Sequence, residues 1–371
     1  MPNQNSMTTR LREYIKTLLP HAHGHQLKAI FNFVLALIDE QTCCQAQLAR
    51  FFDNHESASK RLSRLLHNPR LSVAEMACSK ARLMMVQLPL VGPVRVSLDW
   101  TIEDQQYLLV ASLTLGRRAI PLWWQAYRED QLTDRRSHIE RSFVRTLFDE
   151  VLCEVDRRRF IFTADRGFAS VELFDLLDEL GISFIIRSKG SVNVLIDGTW
   201  RNLSSLHLKR NQRRRTLGKL WYCESDRRRL HLVQSRARDR TGKWGIWYLV
   251  SNRPLSPYTA TSEYGRRFSC EEGFRDAKSM LGFAEARIAD IDAWARMFTL
   301  VAMALLVLAN IGCQLLKDQT FAMFQLRRVR SRRRHRSELS LVRAVTELLK
   351  KQTSLWELLD YGHKLNLEAC L

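Results

Sequence analysis

No two of the eight cysteines, at positions 43, 44, 78, 153, 223, 270, 313 and 370, stand at CxxC spacing. Their irregular placement argues against a structural zinc site and gives no support to a secreted disulfide framework. Acidic charge is also short: 39 Asp and Glu face 58 Lys and Arg, a formal charge of +19. That balance points to a polyanionic partner, nucleic acid before anionic membrane. No internal repeat is present, and MPNQNSMTTRLREYIKTLLP has neither a long apolar stretch nor a cleavage site, so no signal peptide is expected. What is present is core material. Apolar residues make up 46% of 371, which excludes disorder as the main theme and allows two or three domains.

One apolar run, Met297 to Leu316, is long enough to span a bilayer. Asn310 and Gln314 inside it, and its isolation, favour a helix enclosed in a large domain, so no membrane partner is expected. Residues 1–88 read as helical, with apolar positions of Leu27 to Ile38 at helical spacing. Gln45 to Phe52 and Ser57 to Leu66 read as two short helices joined by Asp53-Asn54-His55. The second carries Lys60, Arg61 and Arg64, which suits a helix-turn-helix-like DNA reader and equally an ordinary solvated basic face. His21, His23 and His25 alternate beside Pro20 and Gly24, a weak pattern for a metal site.

From Val94 the texture changes. Val94 to Leu98, Tyr107 to Thr114 and Ile120 to Ala126 read as strands. A helix over about 134–156, a strand Phe160 to Ala164, a helix Ser170 to Leu180 closed by Gly181, and a strand Ile182 to Arg187 follow. This order is mixed α/β. Residues 190–252 are strand-rich and basic, with Lys209, Arg210, Arg213, Arg214, Arg215, Arg227, Arg228 and Arg229, and read as a β insertion. Helices return at about Thr261. The segment Leu326 to Arg336 holds seven arginines and suits a DNA-backbone clamp, and the apolar stripes of Ser337 to Lys350 and Ser354 to Leu359 predict two last helices.

Two aspartates end hydrophobic strands: Asp99 closes VRVSLD before Trp100-Thr101, and Asp165 closes FIFTAD before Arg166-Gly167-Phe168. Singly, either also suits a cap or a turn. Further on, Tyr264, Arg267, Glu271 and Lys278 are spaced +3, +4 and +7, which places them within a sector of roughly 60° on one continuous helix. Arg267 and Glu271 are an i,i+4 pair, so a solvated salt-bridge stripe fits as well. Gly265 and Gly273 interrupt that helix at a cost of about 1 kcal/mol each, as if a nucleic-acid backbone had to approach closely.

These residues match a known pattern. The stripe fits Y-(2)-R-(3)-E-(6)-K, and DWT and TADRGF fit its companion motifs. Over about residues 90–320 the chain resembles bacterial insertion-sequence transposases of the DDE type, in the group called insertion sequence family four. The resemblance implies an α/β ribonuclease-H-like catalytic core, residues 89–189 and 253–318, interrupted by a β-strand insertion at 190–252. A helical DNA-binding region, 1–88, and a basic helical C-terminal region, 319–371, would flank it.

By the same resemblance Asp99, Asp165 and Glu271 are the catalytic, metal-binding triad, hard oxygen ligands suited to two Mg²⁺ or Mn²⁺ ions. Tyr264, Arg267 and Lys278 would grip phosphates near the cleaved end. A tryptophan of the insertion would stack an extruded base: Trp247, with Trp244 as competitor and a core role for Trp247 left open. The implied partners are double-stranded DNA, as terminal inverted repeats and target, and a second subunit in a homodimer. The implied setting is the bacterial cytoplasm at the nucleoid. A non-catalytic DNA-binding relative and a structure-specific nuclease of the same fold are the alternatives.

Overall fold

A computed structural model describes residues 4–116, 118–238, 242–317, 341–360 and 362. Ten strands form one sheet in the order β3-β2-β1-β4-β5-β10-β9-β8-β6-β7. The first three, β1 (Val94–Glu103), β2 (Gln106–Leu115) and β3 (Arg118–Arg128), form an antiparallel meander. Asp104, at φ 50°, takes the left-handed conformation that the tight β1–β2 turn requires. β4 (Phe160–Ala164) and β5 (Ser183–Ser188) then add in parallel on the other side of β1.

Parallel neighbours need crossovers. The first crossover includes α7 (Arg136–Thr146), prolonged by a π-helical turn Leu147–Val151. The second is α8 (Val171–Glu179), which starts where Ser170 Oγ accepts from the Leu173 amide at 3.3 Å and stops before Gly181 at φ 71°.

The insertion does not build a sheet of its own. Its strands are β6 (Asn193–Ile196), β7 (Thr199–Asn202), β8 (Arg214–Tyr222), β9 (Arg228–Arg238) and β10 (Trp244–Ser251). β10 pairs antiparallel with β5, so the core sheet simply continues. Register makes this concrete: Ser97, Thr163, Ile185, Ser251, His231 and Lys219 are successive cross-strand partners from β1 to β8. Partners share a face, so both halves present one common surface.

The helical first region is likewise continuous with the core. It comprises α1 (Gln4–Leu18), α2 (Gly24–Glu40), α3 (Gln45–Ala49), α4 (His55–Leu66) and α5 (Val73–Val86). α5 packs on β3, while α2, α4 and α5 pack on α11 (Ile291–Leu315), and one hydrophobic cluster runs from Leu11 to Leu359. A short helix, α6 (Glu129–Leu132), follows β3. α11 contains the apolar run, long and apolar enough to cross a membrane, and 94% of its most apolar window is buried inside the protein. Asn310 within it is satisfied internally: Nδ2 donates to the Asp360 carbonyl at 2.9 Å, and the Asp360 amide donates back to Oδ1.

The first predicted C-terminal helix is observed as α12 (Leu341–Lys351). The second is a 3₁₀ segment, Thr353–Leu358, rather than an α-helix. The arginine run Leu326 to Arg336 lies outside the described residues.

Candidate active site

Parallel pairing of β1 with β4 ends at Leu98 opposite Ala164. Asp99 and Asp165 are the next residue on each strand, so they lie side by side where neighbouring strands run about 4.8 Å apart. Asp99 does not end its strand as expected from the sequence. β1 continues to Glu103 because β2 still pairs with it, Asp99 opposite Val110. β4 does end, and Asp165 caps the 3₁₀ turn Arg166–Phe168, its Oδ1 accepting from the Gly167 amide at 2.7 Å.

The third carboxylate arrives from helices covering the same sheet face. Here the expected single helix is broken. α9 (Pro257–Arg266) and α10 (Ser269–Arg275) are separated at Arg267-Phe268, and Asp276–Met280 forms a π-helical turn. The one-sector alignment of Tyr264, Arg267, Glu271 and Lys278 therefore does not hold as predicted. The break instead sends Arg267 inward, 5% exposed. Its Nη1 donates to Asp99 Oδ2 at 2.9 Å and its Nη2 to Glu271 Oε1 at 3.2 Å. One guanidinium, 168 positions along the chain from Asp99, thus ties Glu271 to it.

Burial dominates the electrostatics. It pushes the Asp99 carboxyl up to about 6; Arg267 opposes this, while Asp165 and Glu271 add to it. Burial works against the charge of Arg267, but Tyr264, Asp99, Cys270 and Glu271 together hold its pKa above the ordinary value. The Cys270 thiol, fully enclosed behind Asp99, is pushed up to about 12, chiefly by burial, which leaves it protonated and inert.

Several side chains expected to contact a polyanion are engaged by the protein itself. Arg267 is committed to two carboxylates and shielded by rings, 4.9 Å from the Phe268 centroid and 5.7 Å from Tyr264. Tyr264 is 1% exposed and packs edge-on against Trp247 at 5.2 Å, and burial raises its pKa. Trp247 is itself 4% exposed, within a cluster of Ile185, Val233, Leu249, Ala260 and Tyr264. No face of it is open for a base to stack, so the core reading of Trp247 holds. Lys278 reaches back to β1, with Nζ 2.5 Å from Glu103 Oε1 and donating to the Ile102 carbonyl at 2.8 Å. Gly273 is explained by the protein's own backbone, since a Cβ there would lie 2.6 Å from the Ala119 carbonyl of β3. Gly265 has open space around it.

The exposed cations lie elsewhere. Trp244 is 52% exposed, with the Arg238 guanidinium 4.7 Å from its ring. It borders a groove of about 660 Å³ shared with Arg210, Arg213 and Arg236. Lys60, Arg61 and Arg64 project from α4 into solvent, while Ala58, Leu62, Leu65 and Leu66 hold the helix to the core. Lys60 pairs with Glu56 at 2.6 Å and Arg61 lies over the Phe52 ring at 5.4 Å. α4 packs on α2, α3 and α11.

Sequence reasoning passed over one group. Glu140 of α7 is 8% exposed and accepts from the Trp100 indole at 2.7 Å and from Arg136 at 3.2 Å. The Arg136–Glu140 spacing of i,i+4 was its only visible signal, and such pairs are common on solvated helices.

Asp99, Asp165 and Glu271 are hard oxygen donors whose mutual repulsion already strengthens the hold of Asp99 on its proton. That chemistry fits a divalent cation. Among the described residues, no three Asp, Glu, His or Cys side chains are already gathered as a ready-made ion site. Arg267 bridges two of the three carboxylates, Asp99 and Glu271.

Residues 144–307 match the family described as transposase DDE domain. The matched stretch, just under half of the chain, contains Asp165, Tyr264, Arg267, Glu271 and Lys278, whereas Asp99 and Glu140 precede it. No curated protein matches the chain.

Proposed function

We propose that the chain is a DNA transposase of the DDE type, related to insertion sequence family four, with Asp99, Asp165 and Glu271 as its catalytic carboxylates. The observation that carries this is the register. Two aspartates occupy equivalent positions on adjacent parallel strands, and a glutamate from a distant helix is held to one of them through a shared arginine. The match to the transposase DDE domain supports the same reading. So does the strand order β3-β2-β1-β4-β5, which suits a ribonuclease-H-like core carrying its insertion after β5.

Two Mg²⁺ or Mn²⁺ ions held by the three carboxylates would supply the charge that activates an attacking oxygen and stabilises a leaving one during phosphodiester exchange. Arg267 sets the mutual position of Asp99 and Glu271, and as carboxylate charge is neutralised its fork becomes available to a phosphate. Lys278 is the outer cation of the same region, one quarter exposed and within reach of a phosphate on release from Glu103.

The exposed arginines of the insertion hold the DNA backbone, and Trp244, not Trp247, is the aromatic placed to stack on an unpaired base. Lys60, Arg61 and Arg64 add a further basic face on α4. The reaction is cleavage at the ends of an inserted element, followed by transfer of the 3′-hydroxyl into target DNA as cut-and-paste, with hairpin ends as the route of excision. A homodimer in the bacterial cytoplasm would pair the two ends.

The decisive experiment is cleavage and strand transfer on DNA flanking the gene, in Mg²⁺ or Mn²⁺. Asp99→Asn, Asp165→Asn and Glu271→Gln are each expected to abolish both steps while gel-shift binding persists. Near-normal cleavage by any folded variant removes that residue from the site. Cutting without joining identifies a nuclease, and binding without cutting by the wild type identifies a non-catalytic DNA binder.

A further inference from the structure

Asp99 is gripped from its own side of the sheet by Arg267, but the residue after it points the other way. Side chains alternate along a strand, so Trp100 projects onto the opposite face, where α7 lies. There the indole Nε1 donates to Glu140 Oε1 at 2.7 Å, and Arg136 Nε donates to the same oxygen at 3.2 Å. The Arg136 guanidinium also covers the indole, 4.9 Å from its ring. Tyr127 and Tyr107 close on the indole edge-to-face, at 5.9 and 6.4 Å. A buried carboxylate is costly to retain, yet this one spends its contacts on a tryptophan adjoining a candidate catalytic residue. The Asp99 carboxylate also accepts from the Trp100 amide at 3.0 Å, so the orientation of residue 100 bears directly on residue 99.

We propose that Glu140 is a positioning residue of the carboxylate site: by holding the Trp100 indole, it fixes the backbone at Asp99–Trp100 and hence the direction in which the Asp99 carboxylate projects. The proposal rests on the transposase reading for its activity measurement but not for its structural one. Asp99 is thereby clamped from both faces of β1, by an ion pair on one side and an anchored indole on the other. Glu140 acts on Asp99 through Trp100; its charge also meets that of Asp165, an interaction that Glu140→Gln removes while keeping the hydrogen bond to the indole.

The test compares Glu140→Ala, Glu140→Gln and Trp100→Phe in the full chain. Three readouts are used: DNA cleavage, Mn²⁺ affinity by calorimetry, and the Trp100 indole N–H resonance, assigned by its loss in Trp100→Phe. Glu140→Ala is expected to lower cleavage and Mn²⁺ affinity by about tenfold to a hundredfold, as for other outer partners of metal ligands. It should also shift the Trp100 indole resonance towards that of an unbonded indole. Glu140→Gln keeps an acceptor oxygen and should restore both the resonance and most of the Mn²⁺ affinity. In a Trp100→Phe background, Glu140→Ala should have little further effect.

An unmoved indole resonance in Glu140→Ala overturns the proposal. So does Mn²⁺ affinity within twofold of wild type in that variant, or full additivity of the two substitutions. If instead Asp99→Asn cleaves DNA and binds Mn²⁺ like the wild type, the carboxylate site itself fails, and that outcome is distinct from failure of Glu140 alone.

Discussion

The two halves of the sheet use arginine in opposite ways. In the half from β3 to β5, Arg267 is buried and shared between Asp99 and Glu271. In the half from β10 to β7, Arg238, Arg229 and Arg227 lie over the rings of Trp244, Trp221 and Trp200 at 4.7 to 5.7 Å. Arg228 is the exception there, tying the insertion to α8 through Asp175 and Asp178. A buried guanidinium paired with two carboxylates sets geometry and is costly to remove. An exposed one stacked on an aromatic costs little to hold and keeps donors free for phosphate. The comparison teaches that arginine in this chain occupies two environments, and burial separates them.

The sharpest way to break this division is Arg267→Ala, which leaves Asp99 and Glu271 without their shared partner. A stability loss of about 3–5 kcal/mol is expected in denaturant unfolding, and Arg267→Lys should recover only part of it because the fork is gone. A loss below about 1 kcal/mol would place Arg267 with the solvated arginines.

Next in size is Trp247→Ala, expected to cost about 3–5 kcal/mol by the same measurement, because it empties the cluster under α9. A smaller effect belongs to pH. Asp99 holds its proton more tightly in the folded state, about 6 against an ordinary 3.8, so its contribution to stability is full at low pH and is lost as pH rises towards 6. The stability of wild type relative to Asp99→Asn should fall between pH 4 and 6.5, by on the order of 1–2 kcal/mol. A flat difference would mean that Asp99 is not confined as described.

Trp244→Ala should change stability least, within about 0.5 kcal/mol. Its affinity for single-stranded DNA should nevertheless weaken by about 1–3 kcal/mol in a fluorescence titration. Unchanged affinity would remove Trp244 from the binding surface.

Much of the fold was readable from local pattern. Phe160–Ala164 has the same bounds in sequence and structure because a short apolar run ending in Asp-Arg-Gly leaves few alternatives. Local pattern ends β1 too early, since apolar alternation gives way at Asp99-Trp100-Thr101 and only pairing with β2 carries the strand to Glu103. Tyr264 to Lys278 reads as one helix in the sequence because the spacing assumes an unbroken 3.6-residue repeat. The break at Arg267-Phe268 and the π turn at Asp276–Met280 answer to packing on the sheet, with Gly273 pressed against Ala119. Trp247 and Trp244 are three residues apart, and composition cannot tell a covered ring from an open one.

The order of strands and helices and the excess of positive charge are written in the chain itself, because they depend on local periodicity and residue type; the three widely separated carboxylates are singled out only by resemblance to a known family. Which groups meet was decided by the tertiary structure. Asp99 is brought beside Asp165 by parallel register, Glu271 is tied to Asp99 by Arg267, and Glu140 is placed against Trp100 by the packing of α7. Each of these is a long-range contact whose geometry follows from burial and strand pairing, and neither is encoded in the spacing of residues along the chain.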